Sequence, residues 1–387
     1  MGAAYITGCE VLSRMTSAVI SYEFAKYMVI VFLLFGMFYQ GFHKRSWPYI
    51  LFIFLLIPGI IFSAINLNYN TNVGNAIGFN LSGPVCLAFS ALYCFDRKVP
   101  FDRLQTILMY ILLPLVTTAT YLFFYTPDLR DSLSGTGSNF AASGGYGPNQ
   151  VATVLGLGMF ILFTRLLTVK NKIVQIIDFV LLGCMSYRAI VTFSRGGVLT
   201  AAVCAGLFLF FYFKALPAKD RSILIPKIFL ISGVLVLTWL ITVFFSSGLI
   251  VNRYSNEDAA GRLKTDITTG RSEIIETELA AFYENPITGV GVGKAKEYRD
   301  EKTGIAAASH NETSRMLSEH GLFGVFGLLV LLCTPLFYRI KNRKNFFFYS
   351  FLAFWFLTIN HSSMRIAAPA FIYGLSLINV VNTNKDN

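Results

Sequence analysis

The strongest constraint on this chain is the recurrence of apolar runs of about 20 residues, the length that carries an α-helix across the hydrocarbon core of a bilayer. Eleven such runs lie near 24–42, 47–66, 77–95, 104–125, 149–168, 174–193, 197–214, 228–248, 321–338, 346–361 and 366–382. Backbone in lipid must satisfy its own polar groups, so runs of this length become helices. Composition agrees: 55% of the 387 residues are hydrophobic and 14% are charged, against about 25% charged in soluble domains. That leaves too little polar sequence to coat several soluble domains and too much apolar sequence for disorder. The fold class is an all-α, polytopic integral membrane protein.

The formal net charge of +11 raises the question of nucleic acid, and the placement of the charges answers it. Lys and Arg fall in short clusters between apolar runs: Lys44/Arg45, Arg97/Lys98/Arg103, Lys170/Lys172, Lys214/Lys219/Arg221/Lys227 and Arg339/Lys341/Arg343/Lys344. Such clusters mark cytoplasmic loops. Each follows an odd-numbered run, so odd spans end inside and the even connections lie outside. No basic stripe interleaves with aromatics on a polar face, and nucleic acid is not an expected partner. The cysteines (Cys9, Cys86, Cys94, Cys184, Cys204 and Cys333) include no CxxC and read as small apolar residues.

The spans divide the chain into an N-terminal segment 1–23, helices one to eight over 24–248, an outward loop over 249–320 and helices nine to eleven over 321–387. Residues 5–22 contain Glu10 and Arg14 and read as an amphipathic interfacial helix. With eleven spans, Met1 lies outside; a start site downstream of a first span would make the count twelve. The outward stretch 126–148 is rich in Gly and Ser. The loop at 249–320 carries 12 acidic and 9 basic residues, as an outward domain should. Within it, Ile274, Ile275, Leu279 and Phe282 have helical spacing, and Asn285-Pro286 stops that helix. The following ITGVGVGK predicts a tight turn in which Gly289, Gly291 and Gly293 allow close backbone approach. A second helix is expected from about Asn311 into the span at 321.

Few residues are equipped for chemistry. Arg195, in TFSRGG, stands at the outer mouth of the sixth run, with Arg188 seven residues earlier in the same run. On one helix both guanidinia would share a face, roughly 10 Å apart. An arginine at such depth is a functional candidate, suited to clamping phosphate with its planar fork; alternatively Arg195 snorkels to headgroups and Arg188 pairs with a backbone carbonyl. His310, in Ser309-His310-Asn311, precedes Glu312, Arg315 and Glu319 at the membrane surface. It is either a general base near neutral pH or a hydrogen-bond partner for a phosphate oxygen. His361 and Arg365, in NHSSMRIAAP, sit at the same membrane face and either line a shared cavity or cap helix ends. There is no Walker A sequence, no HExxH and no Cys/His cluster at metal spacing, so no cofactor is expected. Any transfer reaction would rest on arginines to stabilise a leaving phosphate.

Taken in order, TFSRGG, the Gly270-Arg271 pair opening the loop helix, NPITGVGVG, the SHN ahead of the next span, and SGGYGPNQ from Ser143 to Gln150 resemble the O-antigen ligase and polysaccharide polymerase superfamily. The resemblance is strongest over 140–330. It implies a GT-C-type glycosyltransferase of the bacterial inner membrane. Such an enzyme moves a glycan from undecaprenyl pyrophosphate to an acceptor hydroxyl at the periplasmic face, without metal and with inversion. Carried onto this sequence, Arg195 and Arg271 would bind the pyrophosphate, and His310 would contact the leaving group or activate the acceptor. Arg188, Asn311, Arg365 and His361 are the further substrate-binding candidates. The expected acceptor is lipid A–core for a ligase or a growing glycan for an O-antigen or exopolysaccharide polymerase; membrane lipids are the other partners. A secondary transporter or channel is the rival from another class, although no paired internal repeat is visible.

Overall fold

The computed structural model describes residues 1–127, 135–266, 268, 270–341 and 345–381. Part of the Gly/Ser-rich stretch (128–134) and the basic residues Arg343 and Lys344 lie outside the described residues. The described chain is helical apart from short connections and one two-stranded sheet: α1 Gly2–Met15, α2 Phe24–Gln40, α3 Trp47–Asn66, α4 Val73–Cys94, α5 Phe101–Tyr125, α6 Pro148–Thr168, α7 Lys172–Val191, α8 Arg195–Ala215, α9 Ala218–Phe245, α10 Leu249–Tyr254, α11 Arg271–Glu284, α12 Lys294–Thr303, α13 Glu312–Lys341, α14 Phe348–Ser362 and α15 Ala367–Ser376. Eight of these helices are long and apolar enough to cross a membrane. The other three expected spans are shorter: 17 residues in α2, 15 in α14 and 10 in α15. The last run leaves the helix at Ser376 and becomes strand β2, Asn379–Val381, which pairs in parallel with β1, Lys98–Pro100. Its β-branched residues suit a strand as well as a helix, an ambiguity that an apolar run cannot resolve by itself.

The chain forms two compact units. The first comprises Met1–Ile20, Phe101–Ile267 and Tyr349–Phe354. Helix α6 is its core, buried over most of its length. Its Gly156 meets the backbone of Gly197 in α8 so closely that an added Cβ would stand 2.4 Å from the Gly197 carbonyl oxygen, a small-residue contact typical of membrane helices. Phe160 packs edge-on against Phe208 and Phe351. Helix α1 lies against α5, where a Cβ on Gly8 would stand 2.3 Å from the Ile111 carbonyl oxygen. The polar residues of α1 neutralise one another: Arg14 and Glu10 pair at 2.5 Å, both buried, and Arg14 also donates to the Tyr146 hydroxyl at 3.0 Å. Helix α9 leaves Phe229, Val236 and Leu240 exposed, as expected of a surface that meets lipid tails.

The second unit comprises Ser21–Pro100, Thr268–Phe348 and Trp355–Asn387. Here α3 packs on α13, and α4 on α2 and α15. The Tyr49 and Tyr373 hydroxyls meet at 3.1 Å, and Tyr373 donates to the Leu331 carbonyl at 2.8 Å. The loop helix expected over 271–284 is present, ending at Asn285; α12 is an additional loop helix. Gly291, at φ +101°, lies where an added Cβ would stand 2.6 Å from the Ser63 amide nitrogen. Only glycine allows both that backbone conformation and that approach. Helix α13 is interrupted at Gly321 (φ 58°, ψ −138°). The amide of Leu322 there donates to the Pro286 carbonyl at 2.8 Å, so the break leaves that donor satisfied.

Candidate active site

Within the first unit the chain turns sharply between α7 and α8. Phe193 adopts φ +57°, the Thr192 hydroxyl accepts from the Ser194 amide at 3.1 Å, and the Ser194 hydroxyl donates to Asn149 at 2.8 Å. This turn corrects the expected geometry of the arginine pair. Arg188 belongs to α7 and Arg195 opens α8, so the two do not share one helical face. Arg188 is buried, donates to Thr126 and to the Ala142 carbonyl at 3.1 Å, and lies over the Phe123 ring at 5.3 Å. It secures the segment around Ala142.

Arg195 donates to Asn256 and, at 3.3 Å, to the Arg253 carbonyl. Arg253 is itself buried and donates through Nε to the Phe193 carbonyl at 3.0 Å, which braces the turn presenting Arg195. Loss of water, followed by the charges of Arg253 and Arg195, lowers the affinity of Lys264 for its proton. Burial pushes the Tyr254 phenol up to about 12, against the pull of Arg195 and Arg253. Three cations thus gather at the start of α8. The carboxylate that also bears on Lys264, Asp258, is engaged by Arg262 at 2.9 Å. Arg253 and Lys264 were not legible in the sequence, because the short β-bridge between Glu257 and Leu263 that returns Lys264 to this place has no strand pattern.

Within the second unit, His310 is held by its backbone and by the charges around it. Its carbonyl accepts from the Ser363 amide at 3.1 Å. Arg365 donates to the adjacent Ser309 carbonyl. Burial, then the charges of Arg365, Arg271 and Arg299 and the neighbouring His361, lower the His310 imidazole to about 4. At neutral pH it is therefore uncharged, with one nitrogen free to donate and one to accept. Arg271 is the first residue of α11, after Gly270 at φ 78°. The His361 ring bonds the Leu357 carbonyl through Nδ1 at 2.9 Å. Asn311 caps α13, its side-chain oxygen accepting from the Thr313 and Ser314 amides at 2.8 and 3.2 Å.

The support beneath this group was only partly legible. Glu278 is buried and receives hydrogen bonds from Arg299 at 3.1 Å, from Ser309 at 3.3 Å and from Ser314. Arg299 is wholly buried and also donates to the Ala307 carbonyl. Together they fix the strand of chain that carries His310. The signal was present: Glu278 shares the buried face of α11 with Ile274 and Ala281, a charge on an apolar stripe. Arg315 pairs with Glu312 and Glu319 and donates to the Asn80 carbonyl at 3.0 Å. A second buried group joins Glu23, Lys26 and Ser82; its sequence signal was two opposite charges three residues apart at the mouth of an apolar run.

No curated protein and no solved structure gives a significant match to the chain. The O-antigen ligase family model matches residues 180–329, a region that contains Arg188, Arg195, Arg271, His310 and Asn311 and ends before His361 and Arg365. The chain thus carries an O-antigen ligase family domain over residues 180–329, and its eight long apolar helices are those of a multi-pass membrane protein.

Proposed function

We propose that the protein transfers a glycan from undecaprenyl pyrophosphate to an acceptor hydroxyl at the periplasmic face of the bacterial inner membrane, as a ligase acting on lipid A–core. The observation that supports this reading most is the gathering of Arg271, Arg299 and Arg365 around an uncharged His310, just ahead of a helix that enters the membrane. Cations fixed before the reaction stabilise a departing pyrophosphate without reorganising at the moment of bond cleavage. The acceptor oxygen attacks the anomeric carbon opposite the C1–O bond, which breaks with its electrons passing to the lipid pyrophosphate, and the configuration inverts. Arg271 and Arg365 serve the leaving group; Arg195, braced by Arg253, stays the phosphate-binding candidate of the first unit taken by itself. Arg188 and Asn311 are better explained as structural: Arg188 donates to the Thr126 hydroxyl and the Ala142 carbonyl, and the Asn311 side-chain oxygen caps α13.

The sequence left two roles for His310. Its lowered basicity favours contact with the leaving group, because activating a hydroxyl calls for a base poised nearer the working pH. A neutral imidazole donates one hydrogen bond to a phosphate oxygen, and the proton lost by the acceptor hydroxyl ends on that oxygen or on water.

Purified protein, supplied with the lipid-linked glycan and candidate acceptors, should release undecaprenyl pyrophosphate in the presence of a chelator. Arg195→Ala, Arg271→Ala and His310→Ala should each cut the release at least a hundredfold, by analogy with other preorganised donors to a developing anion. Full activity in both arginine variants refutes the clamp. Product length separates the two acceptor types: a lipid A–core conjugate marks a ligase, and lengthened lipid-linked glycan marks a polymerase. Release that fails with every acceptor, together with glycan crossing a vesicle membrane, would return the protein to the transporter class.

A further inference from the structure

A cavity of about 660 Å³ opens wholly within the second unit, walled by the turn between α3 and α4, by α12 and by the chain leading to Ser309. Its size falls within the range of small-molecule clefts, roughly 300–1,000 Å³. The sequence of that turn, LNYNTNVGNA, is rich in asparagine and holds no carboxylate, and the reaction chemistry above gives it no part.

The wall carries four carboxylates (Glu278, Glu297, Asp300 and Glu319) and three cations (Lys296, Arg299 and Arg315). Glu278 is paired with Arg299, Glu319 with Arg315, and Glu297 with Lys294 outside the wall. With no excess of positive charge, the cavity does not attract a phosphate. It presents instead uncharged and mixed hydrogen-bonding groups: the exposed side chains of Asn70 and Asn75 line it, each amide able to donate two hydrogen bonds and accept two. Phe79, a residue 37% exposed, lines the same space. Arg299, wholly buried in the wall, has no hydrogen-bond partner at Nε, although a buried donor of this kind is normally satisfied. An apolar ring surface beside a fan of amide, carboxylate and ammonium groups matches one ligand chemistry: a pyranose, whose C–H face stacks on an aromatic ring while its hydroxyls take and give hydrogen bonds.

We propose that this cavity is a sugar subsite, binding one or more neutral or zwitterionic pyranose residues of a glycan taking part in the transfer. The proposal rests on the glycosyltransferase reading and extends it to the substrate. Position supports it, because Ser309 lies in the cavity wall and His310 follows it in the chain. Glu278, bound to the Ser309 hydroxyl at 3.3 Å, ties the wall to the histidine segment. Donor and acceptor glycans share this chemistry, and the experiment separates them.

The full-length protein in lipid nanodiscs is titrated calorimetrically with three probes. They are the lipid-free glycan cut from its lipid-linked donor by mild acid, the lipid-free acceptor glycan, and undecaprenyl pyrophosphate bearing no sugar. Asn75→Leu, Asp300→Leu and Phe79→Ala alter exposed side chains, and each should weaken one of the two glycans about tenfold, the value of one or two hydrogen bonds or a stacked ring. The glycan that is weakened identifies the source. Asp300→Asn should give a smaller loss in the same direction, and undecaprenyl pyrophosphate should bind all variants as it binds the parent chain. Unchanged affinity for both glycans overturns the subsite, as does failure of the parent chain to bind either. Equal weakening of all three probes also overturns it, since that marks damage to the fold. The transferase reading fails separately, if the parent chain neither binds undecaprenyl pyrophosphate nor releases it during transfer.

Discussion

Glu278→Ala tests whether the histidine segment is held by a buried ion pair. Glu278 and Arg299 are 1% and 0% exposed and meet at 3.1 Å. Removing one partner of such a pair strands a buried charge and costs about 3–5 kcal/mol. The Ser309 and Ser314 hydroxyls lose Glu278 but keep the Asn311 carbonyl as an acceptor, at 2.9 and 3.4 Å, so the stranded charge is the main cost. Taking about 3 kcal/mol as the lower bound, local opening of the loop should become about a hundredfold more frequent. Hydrogen exchange over residues 271–310, read by mass spectrometry in nanodiscs, measures this directly. The double variant Glu278→Leu with Arg299→Met removes both charges and should recover most of the lost protection, because no buried ion is left without a partner. A loss below tenfold in the single variant, or a double variant no better protected than the single, would refute the reasoning.

The remaining predictions concern pH, backbone and the arginine fork. His310, lowered to about 4 when its ordinary value is 6.5, is bound to a proton in the unfolded chain before it is in the folded one. Its contribution is therefore fully present above pH 6.5 and lost as pH falls toward 4; His310→Gln should flatten the stability profile in that window, as followed by thermal unfolding. Binding of undecaprenyl pyrophosphate offsets the charges of Arg365, Arg271 and Arg299 and should raise the His310 pKa, seen by NMR of ¹⁵N-labelled histidine. Gly291→Ala should destabilise the loop by about 1–3 kcal/mol or more, from strain at φ +101° and the 2.6 Å approach to Ser63; hydrogen exchange at 287–293 reads it. Arg195→Lys should recover only part of the activity lost in Arg195→Ala, because an ammonium cannot reproduce a two-pronged contact; the rate of undecaprenyl pyrophosphate release checks this.

Much of the architecture was written in local pattern. Helix positions over most of the apolar runs, the loop helix at Arg271–Glu284 and the glycine turn at 289–293 agree with the sequence reading, because each depends on periodicity, a stop signal or φ freedom within a few residues. The last run shows the limit of that logic. Its apolar residues are divided between ten residues of α15 and the strand Asn379–Val381, and the choice depended on β1, paired across about 280 residues of sequence.

The candidate site divides in the same way. Runs long enough to cross a bilayer and few charges already marked out a membrane protein with Arg195 and His310 as candidates, since these features need no knowledge of distant contacts; Arg271 and the transferase reading came from the resemblance to the O-antigen ligase superfamily. The tertiary structure alone decided what each of them meets. It put a left-handed Phe193 between Arg188 and Arg195 and separated two residues that helical spacing had joined. It brought Arg271, Arg299 and Arg365 to bear on His310, and it placed Glu278 beneath the segment and the asparagine turn beside it. Hydrophobic length is a property of consecutive residues, whereas a site is made of charges far apart in the chain, and only the packing of the helices brings those together.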